Sequence, residues 1–212
     1  MKLHGNTYST CTLKALLALA EKGHAAELIP VDLAKGEQRT PQHRALHPFG
    51  KIPVLFDGDF HLYESGAIVR YVDGLPSSAP SLIPTDAKAR AVMEQWVSVE
   101  PSYLQPPVFE IRKQLFLNPM FGGKTDPAEV EKARASVAGV LDVLERALEG
   151  RPYLAGSTYS MADLVFIPTF QFLVIAKQDD LILTRRNVAA WWERISTRPA
   201  WKQILAGAPA ST

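Results

Sequence analysis

A hydroxyl and a thiol, Ser9 and Cys11, stand two residues apart where the polar stretch Thr7 to Thr12 gives way to Leu13, Leu16, Leu17 and Leu19 at helical spacing. The unbonded N–H groups at the start of such a helix, and the positive end of its dipole, favour an anion there. Ser9 is equally suited to capping its own helix, and Cys11 to packing as a small thiol. A second chemical stretch runs from Pro48 to Ile68. It links a proline-bounded segment, Ile52 to Phe56, to another, Phe60 to Tyr63, across Asp57-Gly58, a strong hairpin signal. Glu64 and Ser65 then open an apolar helix. A serine N–H and hydroxyl at a helix start suit a carboxylate, and a neighbouring glutamate suits an ammonium group, so the pair fits a small peptide ligand. As an isolated pair, they also read as an ordinary cap preceded by a solvated acid.

These groups need a scaffold to bring them together. Lys2 to Gly5 reads as a first strand, and the leucine helix stops at Gly23, a natural place for a residue without a Cβ. Ala26 to Leu33 reads as a second strand, with Pro30 predicting an edge or a bulge. With the helix as crossover this opening is a parallel β-α-β unit. Ala34 to His47 is polar and irregular, with room for a helical turn. Gly74 to Pro84 is rich in proline, serine and glycine and reads as a linker carrying an apolar plug, Leu82-Ile83. Beyond Thr85 the strand signals largely vanish. Ala87 to Val99 and Phe109 to Leu117 are helical, with Pro101 and Pro106-Pro107 expected to kink or break the helix between them. Pro127 to Leu148 is a long amphipathic helix opened by Asp126. Ser160 to Ala176, Val188 to Ser196 and a last helix from Arg198 follow, with Ser160 to Asp163 as a capping box. The expected architecture is α/β plus all-α. A thioredoxin-like β-α-β-α-β-β-α domain covers residues 1–75, a linker residues 76–85, and an all-helical domain residues 86–212.

Composition narrows the class of partner. Of the 212 residues, 23 are Lys or Arg against 22 Asp or Glu, so no broad field attracts nucleic acid or an acidic membrane surface. The single cysteine excludes an internal disulfide framework and fits a reducing compartment. The first residues lack the basic segment and long apolar core of a secretory leader, and no apolar run approaches the length of a bilayer span. A cytoplasmic protein is expected, with no metal.

Set in order, the motifs resemble those of the cytosolic glutathione transferases. They are Ser9-Thr10-Cys11, His47-Pro48-Phe49-Gly50, Lys51-Ile52-Pro53-Val54, Glu64-Ser65-Gly66-Ala67-Ile68, Tyr153 to Gly156, Ser160 to Leu164 and Arg198-Pro199-Ala200-Trp201. The phi-like branch fits best, from the placement of Ser9, the Gly36 to Arg39 stretch, and Trp96 to Glu100 followed by Pro106-Pro107. The resemblance implies glutathione as co-substrate, its thiolate activated by the Ser9 hydroxyl, with Cys11 in a possible secondary role. It implies a cis proline at Pro53, whose neighbour Ile52 pairs with the cysteinyl backbone of glutathione, and Glu64 with Ser65 holding the γ-glutamyl end. It places Gln38, Arg39 and Lys51 at the glycyl carboxylate, with Gln38-Arg39 standing where the family carries His-Lys. Tyr8, Phe109, Arg112 and Phe116 are implied as contacts for an apolar electrophile, with detoxification as the role and a homodimer as the assembly. Two other functions stay open on the same residues: thiol transfer or reduction through Cys11, and a non-catalytic glutathione- or ligand-binding module.

Overall fold

In a computed structural model describing residues 1–207, Met1–Ile83 and residues 197–207 form one compact unit, and Pro84–Ser196 form another. The first unit is built on a four-stranded sheet. β1 (Lys2–Gly5) leads into helix α1 (Thr10–Glu21), which crosses to the parallel strand β2 (Glu27–Pro30). A tight turn (Glu37–Arg39) and α2 (Pro41–Leu46) precede the hairpin β3 (Val54–Asp57) and β4 (Phe60–Tyr63), and α3 (Ser65–Gly74) closes the unit. The thioredoxin-like order β-α-β-α-β-β-α is thus observed. The strand order is β2-β1-β3-β4, with β3 antiparallel to both neighbours, and Pro30 does lie on an edge strand. Alternation decides the two faces: Leu3 and Leu55, both fully buried, point to one side, while Lys2, His4, Phe56 and His61 point to the other.

The hairpin turn is one residue later than the Asp57-Gly58 signal suggests. Asp57 pairs with Phe60, so the two loop residues are Gly58 and Asp59, and Gly58 supplies the positive φ (58°) that such a turn requires at its first central position.

The stretch expected to be a linker is bonded into this unit. Lys22 Nζ donates to the carbonyls of Ala79 (3.3 Å) and Pro80 (3.1 Å) and meets the Asp73 carboxylate at 3.1 Å, with both side chains at most 5% exposed. The Leu82 N–H and the Ser81 hydroxyl each donate to Asp73 at 2.7 Å, and the Ser77 hydroxyl donates to the Lys22 carbonyl.

The second unit is all-helical. Its elements are α4 (Ala87–Val99), α5 (Gln105–Arg112), a short α6 (Asn118–Met120), α7 (Pro127–Ala147), α8 (Met161–Leu164), α9 (Ile167–Ile175), α10 (Asp180–Leu183) and α11 (Arg186–Ser196). The prolines at 101, 106 and 107 do not break the first of these runs. The chain keeps right-handed helical angles at Val99, Glu100, Leu104 and Gln105 and widens into a five-residue turn, where the Gln105 N–H reaches back to the Glu100 carbonyl. A second wide turn at Lys113–Leu117 follows. Such turns absorb residues that the regular bonding pattern cannot serve. The expected single helix from Ser160 is divided in two, α8 and α9. The capping box forms, and the buried Asp163 carboxylate also accepts from Leu154 N–H (3.0 Å) and Trp191 Nε1 (2.9 Å), which ties α8 to α11.

The last helix, α12 (Pro199–Gly207), packs back on α1 in the first unit. Arg198 grips Glu21 with two bonds of 2.6 and 2.7 Å, and Trp201 is fully buried. Residues 208–212 of the expected helical domain lie outside the described residues. Among the described residues no helix is long and apolar enough to cross a membrane.

Candidate functional site

Sheet register gathers the chemical residues of the first unit. His4, Val54 and Tyr63 form one row across β1, β3 and β4. The C-terminal end of β1, the N-terminal end of β3 and the C-terminal end of β4 therefore meet at one end of the sheet. From these ends depart the loop to Ser9, the Ile52–Pro53 peptide and the Glu64-Ser65 junction.

Ser9 is set by Asn6, a residue that the motif reading passed over. Asn6 donates through its side chain to the Val31 carbonyl (3.3 Å), takes the Tyr8 N–H on its own oxygen (2.8 Å) and accepts the Ser9 N–H on its carbonyl (2.9 Å). Ser9 adopts extended angles as the cap of α1, and its Oγ accepts the Thr12 N–H at 3.3 Å. An oxygen that accepts this bond still has a hydroxyl proton to donate, so capping and chemistry are compatible at one atom. Ser9 is half-buried, as is Cys11 in the first turn of α1, and Tyr8 on the loop is 58% exposed.

The Ile52–Pro53 peptide is cis. The ladder on β3 begins at Val54, which leaves Ile52 outside the pairing of the sheet, where an extended peptide can add itself. The preceding residue is pinned from α2, since His43 Nε2 lies 2.7 Å from the Lys51 carbonyl. Lys51 and Arg39 reach solvent, while Gln38 is half-buried with its Oε1 enclosed and unbonded. Gly50 lies hard against Gln38: at φ 61°, an added Cβ would come within 2.9 Å of the Gln38 carbonyl oxygen. At the third strand end, Glu64 adopts φ 69° and ψ 115°, a conformation rare outside glycine that turns β4 sharply into α3. Ser65 is the first residue of α3 and so sits at its positive end.

Under this end lies His47, 2% exposed, with its ring 4.6 Å from that of Tyr63 and its Nδ1 buried without a partner. Burial lowers its pKa below the ordinary 6.5, and His43 acts in the same direction; together they outweigh the opposing Glu64 carboxylate. His4 is lowered too, first by burial and then by His43 and Lys2.

On the helical unit, Arg112 and Phe116 converge on Phe172 of α9. The guanidinium carbon sits 5.8 Å from the Phe172 ring centre, and the Phe116 ring meets that ring edge-on at 5.6 Å. Phe109, 53% exposed, stands one turn before Arg112. Phe172 carried no signal in the sequence beyond belonging to an apolar run. Among the described residues no cluster of three His, Cys, Asp or Glu side chains is placed to hold a metal.

Comparison with known proteins matches residues 1–74 to the family model "Glutathione S-transferase, N-terminal domain" and residues 104–199 to "Glutathione S-transferase, C-terminal domain". Glutathione S-transferase F10 of Arabidopsis thaliana is 41% identical over 196 residues, 91% of each chain. The crystal structure of glutathione transferase F7 from Populus trichocarpa superposes with a TM-score of 0.90 at 36% identity, over 99% of each chain. Glutathione S-transferase I from maize, solved in complex with an atrazine glutathione conjugate, superposes at 0.88 with 30% identity, over 97% of this chain and 96% of that one.

Proposed function

The chain belongs to the glutathione S-transferase family and is most similar to its phi-like members, and from that premise we propose that it joins the sulfur of glutathione to apolar electrophiles, with Ser9 as the activating group. The observation that carries this reading is the meeting of Ser9, Ile52–Pro53 and Glu64-Ser65 at one end of the sheet.

In this reading the tripeptide extends along Ile52 as an added strand. Its γ-glutamyl carboxylate lies on the Ser65 N–H and hydroxyl, and its ammonium group on Glu64. Gln38, Arg39 and Lys51 supply donors for the glycyl carboxylate, and Pro53 fixes the turn that presents Ile52. The sulfur then faces the Ser9 hydroxyl. A free thiol of pKa about 8.5 is only roughly 3% ionised at pH 7. A hydroxyl that donates to the sulfur favours the thiolate, and a lowering of ~2 units corresponds to about 2.7 kcal/mol. The thiolate attacks the acceptor carbon as a C–S bond forms; in substitution, the leaving group departs with its electron pair. Phe109, Arg112 and Phe116 form the acceptor wall on the helical unit. The same reading makes the protein a cytoplasmic, detoxifying homodimer, and sedimentation at micromolar concentration tests the assembly.

Turnover of a generic aromatic halide with glutathione, greatly weakened in Ser9→Ala, is the expected result. Undiminished turnover in that variant removes Ser9 from the chemistry. Cys11 in the first turn of α1 supports a competing reading, thiol transfer. Formation of a mixed disulfide at Cys11, with reductase activity lost in Cys11→Ala, would favour it over conjugation.

A further inference from the structure

The arginines whose hydrogen bonds are defined donate to carboxylates, to backbone carbonyls or, as Arg185 does, to both. Arg134 pairs with Asp180, Arg185 with Asp142 and Arg198 with Glu21, while Arg70, Arg90 and Arg194 donate to backbone carbonyls. Arg112 is different. It is half-buried, its defined contact is the Phe172 ring, and no carboxylate or carbonyl among the described residues accepts from it. The nearest acid in sequence, Glu110, is already engaged by Gln114 at 2.8 Å and by Lys113 at 3.1 and 3.2 Å. Burial alone acts on the Arg112 pKa, with no acid drawing it back up. A guanidinium cannot shed its charge at neutral pH, and a desolvated charge without a counter-ion is costly. The ring beneath it offsets part of that cost from one face, leaving the forked edge of five N–H groups to be satisfied. Beside it the Phe109 and Phe116 rings are 53% and 37% exposed.

We propose that Arg112 makes this surface a subsite for apolar ligands that carry a carboxylate, the carboxylate taking the guanidinium fork and the apolar body lying on the phenylalanine rings. The proposal rests on the transferase reading insofar as this ligand is the acceptor, and it names the acceptor class: aromatic or apolar electrophiles with an acidic group. For an aryl chloride of this kind the glutathione sulfur bonds to the ring carbon, chloride leaves with its electron pair, and the thiol proton passes to solvent.

The test compares 4-chloro-3,5-dinitrobenzoate with its neutral carboxamide, each rate divided by its uncatalysed rate with glutathione. The wild type favours the carboxylate by about tenfold, as expected for a charge-assisted fork. The preference falls to near parity in Arg112→Gln and is only partly kept in Arg112→Lys, which retains the charge without the fork. Circular dichroism confirms that each variant is folded, and Arg112→Lys carries the test if Arg112→Gln is not. Calorimetric titration with unreactive 3,5-dinitrobenzoate and 3,5-dinitrobenzamide separates the two claims. Arg112-dependent binding of the benzoate without turnover of either chloride upholds the subsite and overturns the transferase reading. Turnover of both chlorides with the same preference in wild type and variants overturns the subsite alone.

Discussion

At Ser9 one oxygen accepts the Thr12 N–H, and in the proposed reading the same hydroxyl donates its hydrogen bond to the glutathione sulfur. Removing it therefore acts twice. In Ser9→Ala the loss of the cap costs about 0.5–2 kcal/mol of stability, which a denaturant titration reads. The loss of the donor lowers kcat/KM by roughly 10- to 100-fold near pH 7 and moves the alkaline rise of the rate towards the free thiol pKa of about 8.5. A pH profile left in place would show that Ser9 is a cap only. His47 gives a prediction of a different kind. Its folded pKa lies below 6.5, so the unfolded chain binds its proton more readily, and stability must fall as pH is lowered through 6.5 and below. Thermal melts across that range should show a smaller loss in His47→Gln, and an equal loss would place the sensitivity elsewhere, with His4 the next candidate. Ser9 and Glu64-Ser65 could be found in the sequence because each sits at a helix start that its own neighbours announce. Asn6, His43 and Phe172 could not, because their partners at Val31, Lys51 and Arg112 are 25, 8 and 60 residues away and only folding brings them within reach.

Among the elements, the segment after α3 departs most from its composition. Proline, serine and glycine there signal a flexible connector, yet Ser77, Ala79, Pro80, Ser81 and Leu82 are all bonded to the Lys22–Asp73 pair. Composition reports what a segment can do when unpartnered; it is silent about a buried charge that needs its carbonyls. Burial by itself would raise the Asp73 pKa, but the bonds from Leu82, Ser81 and Lys22 outweigh it and hold the pKa below the ordinary carboxylate value of 3.8. The stability this contributes is present above pH 3.8 and is lost as the pH falls further. Asp73→Ala leaves Lys22 buried without its counter-ion and should cost about 3–5 kcal/mol by urea titration at neutral pH. A cost under about 1 kcal/mol would mean that the segment is held by its apolar contacts instead. The prolines of the helical unit carry a related lesson. A missing N–H forbids a regular bond without forbidding a wide turn, so proline spacing signals a disturbance while leaving its form open.

For the molecule as a whole, the first unit is discontinuous in sequence. Arg198 and Glu21 are 177 residues apart, and α12 packs on α1 from the far end of the sequence. No local pattern announces such a return, since α12 reads as one more amphipathic helix after several others. A fragment ending at Ile83 should therefore lack a cooperative thermal transition, whereas a fusion that restores residues 197–207 through a flexible linker should regain one. A sharp melt of the shorter fragment, followed by circular dichroism, would show that α12 is dispensable. The same discontinuity has a consequence during synthesis. At about 5–20 residues per second the Pro84–Ser196 stretch occupies the ribosome for on the order of 10 s before α12 can emerge. For that interval the nascent first unit shows solvent the face of α1 that α12 later covers, which makes it a client for chaperones just when its neighbour is completing its own core. The unit that is translated first is the last to close.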